Sequence, residues 1–273
     1  MDDYLPLLMA FGPLAFIPLF LLLDLLPHAQ SYRSTRWWKL RALAVSLAGV
    51  GVSFGTGLLW ERVWVFPSLL DLSWLGVMGA AVGVVVYEFF HYWFHRGVHR
   101  FSFTWRWFHQ MHHAPERFDA YSAFYQSPLD AVAFTSIGIV VAFPLLGLSP
   151  EAGALLNAFL MFNAMFQHAN IKTPRWLGYI IQRPESHSVH HARGVHMFNY
   201  CDLPMWDMLF GTFRNPPNFA REVGLYDGAS ARIGAMLVGR DLRPEQAPVA
   251  ARDLEEDERM AAYWSDRQAR LSS

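Results

Sequence analysis

The sequence predicts an all-α fold: a multi-span transmembrane helical bundle of about four or five membrane segments, with a histidine-rich dimetal site on its cytoplasmic side. Three observations predict it. Hydrophobic residues make up 53% of the chain and charged residues only 16%, against about 25% charged in an average soluble domain. Several apolar stretches approach the roughly 20 residues that a helix needs to cross a bilayer core. Most of the 12 histidines fall in tight clusters between and after those stretches.

The first apolar stretch, residues 4–26, is interrupted only by Asp24, and its prolines are expected to kink it. It follows an acidic start, MDDY, and is too long for the core of a secretory signal, so it reads as a membrane segment. The second, residues 41–60, is rich in small residues that let helices approach closely. The third, residues 73–94, runs directly into the first histidines. Residues 129–148 and 151–167 flank the turn signal LGLSP, and read either as two spans or as a re-entrant hairpin.

Charge sets the orientation. Arg33, Arg36, Lys39 and Arg41 lie between the first two spans, and Arg96, Arg100, Arg106 and Arg117 follow the third. The positive-inside rule assigns both segments to the cytoplasm, and every histidine cluster with them. The same four later arginines are candidates for docking an acidic electron donor. The net charge of −1 offers no basic field for nucleic acid. Cys201 is the sole cysteine, so no intramolecular disulfide forms. Residues 240–273 are charged, and the stretch RDLEEDERMAAYWSDRQARL reads as an exposed helix in a cytosolic tail.

His28 stands alone and reads as an interfacial loop residue. His91, His95 and His99 are spaced i, i+4, i+8, so a helix carries them on one face. His109, His112 and His113 fit one helix at i, i+3, i+4, and His187, His190 and His191 repeat that spacing. His168 closes an apolar stretch. Neutral imidazole is a strong ligand for iron, zinc, copper and nickel. One helical turn can offer two nitrogens to one ion and a third to its neighbour. Eight or nine imidazoles suit two ions, each with four or five nitrogens. Histidines so dense in an apolar chain would otherwise be costly to bury. Glu88, Asp119, Asp130, Glu185 and Asp207 are candidates to hold ligand rings by hydrogen bonds. The ferritin-like set of two Glu-x-x-His pairs does not appear, since EFFH (88–91) stands alone, and HExxH is absent, which argues against a carboxylate-bundle di-iron site and a zincin-type protease.

Four blocks carry a resemblance: EFFHYWFHRGVH (88–99), WRWFHQMHH (105–113), FQHANI (166–171) and HSVHHARGVHMFNYCDLPMWDMLFGTF (187–213). In this order they resemble the fatty acid hydroxylase/sterol desaturase superfamily of integral-membrane, histidine-rich di-iron oxygenases. One departure is Cys201, where the family often has glycine after Asn-Tyr. The resemblance implies a cytosolic helical cap carrying the dimetal site, with His95, His99, His109, His112, His113, His168, His187, His190 and His191 as metal ligands. Glu88, His91, His196, Asn199 and Asp207 are candidates to brace them. The cofactor implied is two iron ions, for which zinc can substitute in purified protein. The partners implied are a bilayer lipid, O2 and a separate electron donor, cytochrome b5-like or ferredoxin-type, since the chain carries no haem, flavin or ferredoxin motif.

The expected organisation is N-terminal transmembrane helices over 1–87, a catalytic region over 88–215 with a hairpin at about 129–167, and a charged cytosolic tail over 216–273. The expected activity is hydroxylation of an unactivated C–H bond of a lipid, with desaturation or ether-lipid monooxygenation as alternatives of the same chemistry. A metal-transporting or metal-binding membrane protein is the alternative from another class. Aromatic residues around Phe89–Phe94, Phe103–Phe108, Tyr121–Tyr125 and Phe159–Phe166 are candidates to line an apolar substrate channel.

Overall fold

The computed structural model describes residues 11–243. The N-terminal part of the first apolar stretch and the charged helix expected near the C-terminus lie outside them. The regular structure among the described residues is helical; the exception is one isolated antiparallel bridge between Ala192 and Val223. Helices α1 (Phe16–Leu23), α2 (Trp38–Val63) and α3 (Gly79–Arg100) lead to a short helix α4 (Gln110–His113). Helices α5 (Pro128–Val140) and α6 (Pro150–His168) form the hairpin. Two short helices follow, α7 (Pro184–His190) and α8 (Met205–Leu209).

Three helical stretches are long and apolar enough to cross a membrane: Trp38–Val63, Ser73–Arg100 and Pro128–Leu145. Their surfaces carry large apolar side chains outward, with Leu47 63%, Phe54 58% and Leu59 59% exposed. An apolar surface of this extent is stable against lipid rather than water, and a helix satisfies its backbone polar groups internally, as a bilayer requires. The chain is accordingly an integral membrane protein. Helix α1 lies in a shorter apolar segment, Gly12–Leu23. Helix α6 is 19 residues long but carries Asn157, Asn163, Gln167 and His168, and does not join the membrane-crossing set among the described residues.

Helix α3 organises the bundle through one stripe at four-residue spacing: Gly79, Gly83, Tyr87, His91 and His95, all buried. The glycine end meets α6 and the turn before it, where a Cβ on Gly83 would stand 3.3 Å from Leu156 of the helix and 2.9 Å from Leu148 of the turn. The histidine end meets the start of α5 and the end of α6. The hairpin therefore leaves the histidine end, turns near Leu146–Ser149 beside the glycines, and returns. Pro128 and Pro150 occupy first-turn positions, with Ser127 accepting from the Asp130 amide (3.1 Å) and Ser149 from the Ala152 amide (3.2 Å). The expected turn at LGLSP is thus an N-cap. Pro144 lies in a π-turn, Val141–Leu145, and the carbonyls of Pro144, Leu145 and Leu146 accept from Leu69, Leu70 and Leu72. Helix α2 packs on α5, where Trp60 donates to Ser136 (2.9 Å).

Residues 216–243, the described part of the expected charged tail, pack against the histidine end of the bundle. Phe219, Ala220 and Val223 are buried with Phe118, and Leu225, Ala229, Met236 and Leu242 are buried with Trp38, Trp105 and Met111. The apolar residues among the charges of this segment are what hold it there.

Candidate metal centre

The sequence expects a His-x-x-His-His stretch on one helix. The first is built differently. Trp105–His109 is a π-turn and α4 begins only at Gln110. The wider turn re-aims His109, a known use of π-bulges at functional positions. Ser127 at the start of α5 donates to the carbonyls of Trp107 (3.0 Å) and Phe108 (2.8 Å), pinning this segment. The second stretch lies on α7 with His191 at its C-cap, and Pro184 starts that helix. Arg183, fully buried, fixes the start by donating to Thr173 Oγ1 (2.9 Å) and Asn215 Oδ1 (2.6 Å) and pairing with Glu185 (3.0 Å).

The nine histidines named from the sequence converge into two groups. His95, His99, His109, His113 and His190 form one; His112, His168, His187 and His191 form the other. In each, the nitrogens lie within 4.8 Å of one another. The two His-x-x-His-His stretches divide in opposite senses. The first sends its i and i+4 rings to the five-membered group and its i+3 ring to the other. The second sends its i and i+4 rings to the four-membered group and its i+3 ring across. The stacked rings of His113 and His191, centroids 4.1 Å apart, form the wall between them.

Nitrogens face nitrogens inside the groups. His95 Nε2 is 2.9 Å from His109 Nε2. His168 Nε2 is 3.3 Å from His112 Nε2 and 3.2 Å from His187 Nε2, which is 3.1 Å from His191 Nε2. Nε2 of His99, His113 and His190 is buried without a hydrogen-bond partner. Two neutral imidazole lone pairs cannot satisfy each other, and an orphaned buried nitrogen is costly. Metal–nitrogen bonds of about 2.0–2.1 Å place ligand nitrogens roughly 3–4 Å apart, so both groups fit a metal ion.

The outward nitrogens are held. His95 Nδ1 donates to the Tyr200 carbonyl (2.8 Å), His109 Nδ1 to Asp130 (2.7 Å), His168 Nδ1 to the Ala164 carbonyl (2.8 Å) and His190 Nδ1 to the Phe198 carbonyl (2.7 Å). Each bond fixes the tautomer that leaves Nε2 free for a metal. Gln182 Nε2 lies 3.1 Å from His187 Nδ1, and His196 Nδ1 lies 3.1 Å from His113 Nδ1. Burial first, and neighbouring histidines second, push His109, His113, His187, His190 and His191 well below the ordinary value of 6.5; burial and His168 do the same to His112. Neutral rings are the metal-binding form.

The bracing residues act at different distances. Asp207 accepts from the amides of Tyr200 (2.9 Å) and Cys201 (3.0 Å), and so holds the carbonyl that His95 uses. Asn199, at φ 50°, donates to the Ser186 carbonyl and accepts from the Arg214 amide. His91 stacks on His95 (5.4 Å) and, with Glu88, belongs to a separate cluster. Asp119 and Glu185 hold Trp38 and Thr173 rather than a histidine.

Two aromatic rings that the sequence reading does not single out touch the groups. Phe118 contacts His168, His187 and His191, and Phe134 contacts His91, His95 and His109. The expected channel aromatics do not surround one passage: Phe89 packs on Trp206, Phe103 faces outward, and Phe162 packs on Phe16 and Phe20. The expected docking arginines make internal contacts, among them Arg96 with Tyr92, Arg106 with the Ser102 carbonyl and Arg117 with Asp119. His28 bridges Asp24 (3.2 Å) and Arg117 (3.2 Å), lining an open cleft of about 410 Å³ with Leu26, Ser31 and Tyr32.

Comparison with known proteins agrees with this geometry. Residues 80–212 match the family model described as fatty acid hydroxylase, a range that includes all nine histidines. Human alkylglycerol monooxygenase is 34% identical over 162 residues, 57% of this chain and 34% of that protein. Sphinganine C4-monooxygenase 1 of Arabidopsis thaliana is 25% identical over 134 residues, 48% of this chain and 52% of that protein. The Delta(7)-sterol-C5(6)-desaturase of Nicotiana tabacum is 28% identical over 164 residues, 55% of each. The chain thus spans about half the length, or less, of these curated relatives. No solved structure matches it. Through residues 80–212, the chain belongs to the fatty acid hydroxylase/sterol desaturase superfamily.

Proposed function

We propose that this protein is a membrane-bound lipid oxygenase that hydroxylates an unactivated C–H bond. The observation that carries the reading is the convergence of nine histidines, eight buried and His99 half-buried, into two groups at one end of an apolar bundle. Two iron ions, when bound, supply the activation of O2 and the oxidation of the C–H bond. The nine histidines hold them, and Tyr200, Asp130, Ala164 and Phe198 orient the rings through the Nδ1 bonds. Phe118 and Phe134 exclude water from the two groups. Overall, the lipid C–H and O2, with two electrons and two protons, give the alcohol and water. The electrons come from a separate donor protein. The names of the relatives, two monooxygenases and one desaturase, support oxidation of a lipid and keep desaturation and ether-lipid monooxygenation as outcomes of the same site.

The metal centre faces the cytoplasm in this reading, because Arg96, Arg100 and Arg106 flank the histidine end of α3. Residues 88–215 form the catalytic region and 1–87 the anchor. The cleft beside Arg117 and His28, one residue from Phe118, suits a lipid headgroup.

The test is product analysis under ¹⁸O2 in membranes expressing the wild-type chain or His112→Ala. The reading predicts a lipid carrying one heavy oxygen in the wild type alone. An iron-loaded, donor-supplied wild type that alters no lipid would overturn it.

A further inference from the structure

A third buried cluster lies next to the five-histidine group and belongs to neither group. Glu88 and His91 come from α3, and Asp202 from the segment after α7. One nitrogen or oxygen from each lies within 4.8 Å of the others. Glu88 and Asp202 are 0% and 4% exposed and His91 is 7% exposed. Glu88 Oε2 is 3.5 Å from His91 Nδ1 and accepts the Asp202 amide at 3.0 Å. Gln167, beside His168 on α6, donates its amide to Asp202 Oδ1 at 3.1 Å.

Three polar atoms in this cluster have no hydrogen-bond partner: Glu88 Oε1, His91 Nδ1 and Gln167 Oε1. Among the described residues, no arginine or lysine pairs with either carboxylate. Two carboxylates and one imidazole thus share a dry space without a compensating cation. Burying such charge unpaired is strongly unfavourable. A divalent ion neutralises both carboxylates at once, and one imidazole with two carboxylate oxygens is an established donor set for zinc-like ions. Gln167 Oε1 adds a neutral oxygen.

We propose that Glu88, His91 and Asp202 form a third, separate metal site for a divalent transition-metal ion. Its role is a clasp. It ties α3, which carries His95 and His99, to the segment that carries Tyr200 and Asp207, with the end of α6 and His168 alongside. The proposal stands on this cluster alone and does not depend on the lipid chemistry of the histidine groups.

The probe is zinc. The full chain, purified in detergent and stripped of metal, is dialysed against zinc and its metal content counted. Three zinc ions per chain are expected in the wild type, and two in Asp202→Asn, which keeps the Gln167 contact. His91→Phe, which keeps an aromatic ring against His95 and Phe134, should also give two. His187→Ala/His191→Ala should lose a different ion, and the combined variant with Asp202→Asn should retain one. Two ions in the wild type with no loss in Asp202→Asn or His91→Phe would overturn the third site. Wild-type zinc that falls only in Asp202→Asn and His91→Phe, and not in the histidine variant, would support the clasp while contradicting the histidine groups.

Discussion

His109 donates its Nδ1 proton to Asp130 across 2.7 Å, linking the π-turn before α4 to the first turn of α5. Both side chains are buried. The bond selects the tautomer whose Nε2 faces His95. Replacing Asp130 with Asn keeps the shape and removes the charge, and removing such a partner usually costs about 10–100-fold in metal affinity. Asp130→Asn is expected to weaken metal binding by about that factor while the chain remains monodisperse in detergent. Competition with a chelator of known affinity measures it; an unchanged affinity would show that the bond is only structural.

Phe118 supports the four-histidine group from outside. It is 1% exposed and packs on Phe219 and three histidines. Truncating a buried phenylalanine to alanine costs about 3–5 kcal/mol. Phe118→Ala should lower the midpoint of thermal unfolding and loosen metal at His112, His168, His187 and His191 more than at the other group. Site-resolved X-ray absorption of the loaded protein reads the difference.

Gly224 is at φ 82°, and an added Cβ would stand 2.4 Å from the Pro115 carbonyl oxygen. Its amide donates to the His191 carbonyl (3.1 Å). Left-handed backbone costs a non-glycine residue roughly 1–2 kcal/mol before any clash. Gly224→Ala is therefore expected to destabilise the fold by more than that and to reduce metal occupancy. A thermal midpoint equal to the wild type would refute the argument.

Acid should destabilise the metal-free chain. His109, His112, His113, His187, His190 and His191 are held well below 6.5, and His196 is pushed down to about 3, all chiefly by burial. The unfolded chain then binds more protons as pH falls through about 6.5, so folding stability declines from there downward. Asp119 and Asp207, raised by burial, and Asp202, raised to about 7, act in the opposite sense. The histidines outnumber them. The unfolding midpoint of the metal-free protein should drop between pH 7.5 and pH 5, and a midpoint that rises instead would contradict this balance.

The histidine spacing was legible because helix geometry places i and i+4 together and i+3 beside them. What spacing could not reveal was which rings share a group. That depends on the π-turn at Trp105–His109, on α7 approaching in the opposite sense, and on the His113–His191 stack. Phe118, Phe134 and Arg183 escaped notice because their roles arise from contacts far apart in sequence. Asp202 meets Glu88 only because the closing segment returns to α3. The docking of residues 216–243 was not legible because it rests on a few apolar residues among charges, Val223, Leu225 and Met236.

The most direct test of the central claim is iron content of anaerobically loaded protein with each histidine group broken separately. His95→Ala/His99→Ala removes two ligands of one group, and His187→Ala/His191→Ala two of the other. The account predicts that each pair loses one iron relative to the wild type and that the combination loses two. Loss of both ions from either pair, or of none from both, would contradict a centre built as two histidine groups.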